Sequence, residues 1–167
     1  MAETKIKNYY DNLDNELPIH LSVGAVLVND QGQVCSHHYD RHYDGMENIY
    51  MLMRETVEPG ETLEAAVHRG LKEEWGTTAT IKNYIGSIVS SFPRSIDKQS
   101  VKKTTLYFLC QLENQVIEDR ELDGLESISN IEWADPKTLA AAMKAQGAKL
   151  DRTDMDESSI VRVVFPE

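Results

Sequence analysis

Positive charge is scarce in this sequence: 17 lysines and arginines stand against 28 aspartates and glutamates, a formal net charge of -11. Nucleic acid and anionic lipid carry the same sign, so non-specific attachment to either is disfavoured and no nucleic-acid partner is expected. An anionic substrate would need a cation between itself and the chain. Cysteine is also sparse. Cys35 and Cys110 sit in strand-like runs without paired spacing, which fits reduced thiols better than a disulfide framework. No apolar run approaches the length of a membrane span, and the opening MAETKIKNYYDNLDNELP has no apolar signal core. The reading is a cytoplasmic protein with no membrane partner. There is no internal repeat and no low-complexity linker. Hydrophobic residues, at 41%, suffice for a core, and 167 residues suit one domain.

Residues 1–18 are polar and end at Pro18, which predicts an N-terminal arm before a single domain over 19–167. LSVGAVLV (21–28), the turn NDQG and then QVCSHHY predict a β-hairpin, and NIYMLM (48–53) another strand. From Leu63 the period changes. Leu63, Ala66, Val67, Gly70 and Leu71 fall at helical spacing, Thr62 is a candidate N-cap and Gly76 a candidate C-terminal stop, so a helix is predicted to end near Trp75. Two longer strands (79–92 and 102–112) flank the loop PRSIDKQS, and SISNIEW (127–133) is a further strand. PKTLAAAMKAQG is a proline-headed helix, and the tail after Asp151 is expected to close with one more.

The stretch ETVEPGETLEAAVHRGLKEEWG (55–76) carries six acids (Glu55, Glu58, Glu61, Glu64, Glu73, Glu74) against Arg69 and Lys72. Such a cluster repels itself unless a cation sits in it or water screens it. Carboxylate oxygens select hard ions such as Mg²⁺ or Mn²⁺, normally shared with substrate phosphates. The segment resembles the signature of the Nudix hydrolases: glycine, five residues, glutamate, seven residues, then Arg-Glu-aliphatic-x-Glu-Glu-x-Gly-aliphatic. Glu61, Arg69, Leu71, Glu73, Glu74 and Gly76 stand in register with it. The flanks agree, with a glycine-containing first strand (SVGAVLV), TTLYFLCQL, and IEW before a proline-headed helix. Three positions depart: Glu55 replaces the first glycine, Gly70 the glutamate after Arg69, and Thr77 the last aliphatic.

The resemblance implies an α/β/α sandwich around a mixed sheet, an α+β fold. It also implies Mg²⁺- or Mn²⁺-dependent hydrolysis of a nucleoside diphosphate linked to another group. By the same resemblance Glu73 and Glu74 are metal ligands, Arg69 orients a carboxylate, Glu61 buttresses the loop or helps bind the cation, and the backbone carbonyl of Arg54 touches it. Gly70 removes a carboxylate that family members use to bind metal or activate water. Glu55 is the candidate replacement, reaching from a loop over 55–60. In that reading a glutamate returned to position 70 in a Glu55→Gln background restores part of the activity. Glu126, seven residues before Trp133, is the candidate extra acid or base in a region that also holds Glu121 and Asp123.

In the basic stretch PRSIDKQSVKK, Arg94, Lys102 and Lys103 are the candidate phosphate-binding residues, with Lys98 nearby; the competing reading is a solvated loop. His37, His38 and His42 have no common zinc spacing and are read as contacts for a ribose or base. The expected partner is a small nucleotide, and a homodimer is the candidate assembly. The competing function is a nucleotide-binding or regulatory domain that has lost catalysis at Gly70.

Overall fold

The computed structural model describes residues 19–41, 47–93, 100–122 and 124–166; the predicted N-terminal arm, His42, Arg94, Lys98 and Asp123 lie outside them. Strand β1 (Ile19–Val28) is the spine of a seven-stranded mixed sheet. It runs parallel to β6 (Ser100–Gln115) over its whole length, and β6 pairs antiparallel with β5 (Thr77–Pro93). On its other side β1 pairs antiparallel with β4 (Met53–Thr56) and, through Val28 and Val34, with β2 (Val34–Tyr39). β2 in turn holds β3 (Ile49–Met51) and β7 (Asn130–Ala134).

Period-two alternation along β1 divides the core into two layers. Val23, Ala25 and Leu27 pack with Val67, Leu71, Trp75 and Phe108 under helix α1 (Leu63–Trp75). Val26 and Val28 pack with Leu52, Tyr107, Leu139, Met143 and Ile160 under α2 (Pro136–Leu150) and α3 (Ser158–Val164). The sheet therefore lies between helices, the expected α/β/α sandwich. Among the described helices none is long and apolar enough to cross a membrane.

The predicted elements are present, with three differences. Residues 48–53 do not form one strand. At Leu52 the backbone N–H donates to the Glu157 carboxylate (2.8 Å) rather than to a neighbouring strand, which separates β3 from β4. Glu55 and Thr56, expected in a loop, belong to β4, where Glu55 lies opposite Val23 of β1. Residues 127–128 fall in a short 3-10 turn (Gly124–Ile128), and β7 begins only at Asn130.

Candidate active site

Helix α1 begins where Thr62 Oγ1 accepts the Ala65 N–H (3.2 Å) and stops at Gly76, which takes the left-handed conformation (φ 59°). Its buried stripe is Ala66, Val67, Gly70, Leu71, Glu74 and Trp75. Glu74 thus enters the protein beside the tryptophan, while Glu73 stands at the open edge. Gly70 lies against β4: a Cβ placed there would meet Glu55 Cβ and Met53 Sδ at 2.7 Å and Glu55 Cγ at 3.3 Å.

Arg69 ties the helix to both segments before it. Its Nε and one terminal nitrogen donate to the two oxygens of Glu61 (2.9 and 3.0 Å), and that terminal nitrogen also donates to the Thr56 carbonyl (2.7 Å). The other terminal nitrogen lies 3.3 Å from Glu55 Oε1 and 3.5 Å from Glu73 Oε2. Glu61 further accepts the Glu58 N–H (3.0 Å), and its hydrogen bonds from Arg69 hold its carboxyl below the usual range. Both Glu61 oxygens accept from Arg69 and one also accepts from the Glu58 N–H, contacts that brace the loop against α1.

Glu74 Oε2 lies 2.6 Å from His37 Nε2. The proton on this pair follows from its surroundings. Ser129 Oγ donates to the Glu126 carbonyl (2.8 Å), so it accepts from His37 Nδ1–H (2.8 Å) and from Arg120 (3.2 Å). Trp75 Nε1–H points at His37 Nε2 (3.0 Å), which is therefore the bare nitrogen of a neutral ring. The remaining proton sits on Glu74. Burial, followed by the charges of Glu55 and Glu126, raises the Glu74 carboxyl well above its usual range, and burial with Arg120 and Arg54 lowers His37 to about 3. His37, expected at a ribose or base, instead lies in the core behind Glu74.

These placements converge on a cleft of about 380 Å³ lined by Arg54, Glu55, Thr56, Glu73, Glu74, Glu121, Gly124 and Glu126. Five glutamates and one arginine line it. A larger hollow of about 500 Å³ lies over α2 beside Asn48 and Ile49, but it gathers no such acid group, and the chemistry marks the smaller cleft. Within the cleft Arg54 also reaches the opposite layer: Nε lies 3.5 Å from Glu157 Oε1 and Nη1 donates to the Asp154 carbonyl (3.2 Å).

Other candidates are not gathered there. Lys102 and Lys103 are consecutive on β6 and so face opposite sides of the sheet; Lys102 is exposed, while burial and then Arg54 lower the Lys103 ammonium to about 8. Neither lysine lines the cleft. His38 stacks on Tyr50 (4.4 Å between ring centres) and contacts Glu132 (2.5 Å). Sequence reasoning missed Arg120, which donates to the Glu74 carbonyl (2.5 Å) and the Glu126 carbonyl (3.4 Å), clamping the Glu126 turn to the end of α1. Its signal was a lone arginine inside the acidic loop ENQVIEDRELDGLE.

A family model described as NUDIX domain matches residues 18–153. The NAD-capped RNA hydrolase NudC of Vibrio vulnificus is 39% identical over 71 residues, covering 42% of this chain and 26% of that protein. Nudix hydrolase 5 of Arabidopsis thaliana is 26% identical over 104 residues, covering 62% of this chain and 33% of that protein. The chain thus spans a third or less of these relatives' length. A solved NUDIX hydrolase from Nitrosomonas europaea superposes with a TM-score of 0.56 at 16% identity, over 84% of this chain and 87% of that one, which shows a shared fold.

Proposed function

This chain belongs to the Nudix family, and on that premise we propose that the cleft between α1, β4 and the 124–128 turn hydrolyses the phosphoanhydride of a nucleoside diphosphate linked to another group. The carrying observation is the convergence of Glu55, Glu73, Glu74, Glu121 and Glu126 on one cleft with Arg54 as the only cation among its lining residues. The donor set is all oxygen with an excess of negative charge, the chemistry that suits Mg²⁺ or Mn²⁺, although among the described residues no three acids are already drawn together around one point. Glu73, the Arg54 carbonyl and Glu74, once the ion displaces its proton, would hold the ion. Bound there, it supplies charge neutralisation to the pyrophosphate oxygens and acidifies the attacking water.

The chain's own residues do the rest. Glu126, half-exposed on the turn held by Arg120, accepts the proton of the attacking water. The water oxygen joins phosphorus as the bridging P–O bond breaks, and two phosphorylated products leave. Arg69 fixes Glu73 and the β4 end relative to each other, while the Arg54 guanidinium is held on the other side of the sheet by Glu157 and the Asp154 carbonyl. Arg94, Lys102 and Lys103 stay candidates for substrate phosphates reaching beyond the cleft, since neither lysine lines it. Similarity to proteins named for NAD-capped RNA favours a dinucleotide pyrophosphate as the substrate. The net charge of -11 favours a free nucleotide over an RNA chain.

A product-release screen over NAD, NADH, ADP-ribose, nucleotide sugars, dinucleoside polyphosphates and nucleoside triphosphates, with Mg²⁺ or Mn²⁺, tests the proposal. At least one pyrophosphate should be cleaved only with cation, and Glu73→Gln should suppress it. Nucleotide binding without any turnover would favour the binding-domain function.

A further inference from the structure

The two main departures from the signature are reciprocal. Where the signature has glycine the chain has Glu55, and where it has glutamate after the arginine the chain has Gly70. The fold puts these two positions face to face, because Glu55 projects from β4 towards α1 on the side where Gly70 lies. A Cβ at 70 would come within 2.7 Å of Glu55 Cβ, too close for real atoms, so a side chain fits at 55 or at 70 but not at both. Met53 Sδ, also 2.7 Å from that point, is the end of a flexible chain and can move; Glu55 Cβ is fixed by the strand.

We propose that the two departures are one exchange, in which Glu55 on β4 delivers to the cation site the carboxylate that the signature places on the helix at position 70. The inference rests on the hydrolase reading above for the site's purpose, but its geometry is independent of it. Glu55 Oε1 accepts the Thr56 N–H (2.7 Å) and lies 3.3 Å from Arg69, the same guanidinium nitrogen that approaches Glu73. Its side chain lines the same cleft as Glu73, Glu74 and Glu126. Glycine in a helix interior is otherwise unfavourable, and here the space it leaves is filled by the Glu55 stem. The exchange also corrects the rescue expected from sequence: Glu55→Gln keeps the obstructing Cβ, so a glutamate can return to 70 only when 55 becomes glycine.

The test compares wild type, E55Q, E55G, G70E and E55G/G70E by three readouts: Mn²⁺ binding to the metal-free chain by electron paramagnetic resonance, melting temperature in chelator, and turnover. E55Q should weaken Mn²⁺ about tenfold or more, as should E73Q, with the melting temperature nearly unchanged. G70E alone should melt well below wild type, and E55G/G70E should recover Mn²⁺ affinity to within about threefold of wild type. Wild-type Mn²⁺ affinity in E55Q would overturn the exchange, as would a wild type that binds no Mn²⁺. So would a folded E55G/G70E no better than E55G; if that variant does not fold, E55Q decides. Coupled Mn²⁺ binding without any turnover would sink the hydrolase reading and leave the exchange standing.

Discussion

Arg54 and Glu55 are neighbours on β4, yet each joins a different charged network, one on either face of the sheet. On the α1 face, Arg69 is a single cation among Glu55, Glu61 and Glu73, at distances from 2.9 to 3.5 Å, and all are partly open to water. On the α3 face, Glu157 is a single carboxylate, 1% exposed, that receives the Leu52 N–H (2.8 Å) and the Tyr107 hydroxyl (2.5 Å) and faces Arg54 (3.5 Å). The first network is redundant and hydrated, so losing one partner leaves others in place. The second is buried and centred on one carboxylate, so losing it removes a shared acceptor from three polar groups at once. One β-strand thereby separates a hydrated acidic wall from a buried anchor at the C-terminal helix.

The largest effect should come from the anchor. Glu157→Ala should destabilise the fold by about 3–5 kcal/mol in denaturant titrations, since it removes the carboxylate that a buried guanidinium, hydroxyl and amide share; a loss under about 1 kcal/mol would erase the contrast between the two faces. On the open wall the effect should move from stability to function. Glu73→Gln should lower turnover by about 100-fold, roughly 2.7 kcal/mol of barrier, while the denaturation midpoint stays nearly constant because the side chain is 34% exposed.

Acid should distinguish the faces next. His20, bonded to Thr56 Oγ1 (2.9 Å), is lowered from 6.5 to about 4, first by burial and then by Lys103. Its folded form resists the proton that the unfolded chain accepts, so stability should fall as pH drops from about 6.5 towards 4, by on the order of 2 kcal/mol. His20→Gln should flatten that slope in stability measured across the range. Glu61, held low by Arg69, acts in the same direction at lower pH: its contribution persists above the usual carboxyl range and is lost only as pH falls below it. The smallest effect belongs to Glu61→Gln, about 1 kcal/mol and weaker at high salt, read from melting at low and high ionic strength.

Helix α1 was legible from sequence because its cap, its five-residue stripe and its terminal glycine lie within one short window and agree with one another. The Nudix signature was legible for the same reason, being a local spacing. What lay hidden depends on partners distant along the chain. The break at Leu52 is imposed by Glu157, and the burial of Glu74 by His37 and Ser129, which no local pattern announces. The direction of Glu55 depended on whether β4 extended that far, and pairing with Val23 decides it. Lys102 and Lys103 were grouped by charge, although strand alternation sends them to opposite faces.

Hydrolysis at phosphorus is the central claim, and turnover in heavy-oxygen water of the best substrate from the screen tests it most directly. The account predicts a single labelled oxygen in the phosphate of one product per turnover, with Mg²⁺ or Mn²⁺ required and the signal suppressed in Glu73→Gln. Products without phosphate label, or label that appears equally in chelator, would contradict it.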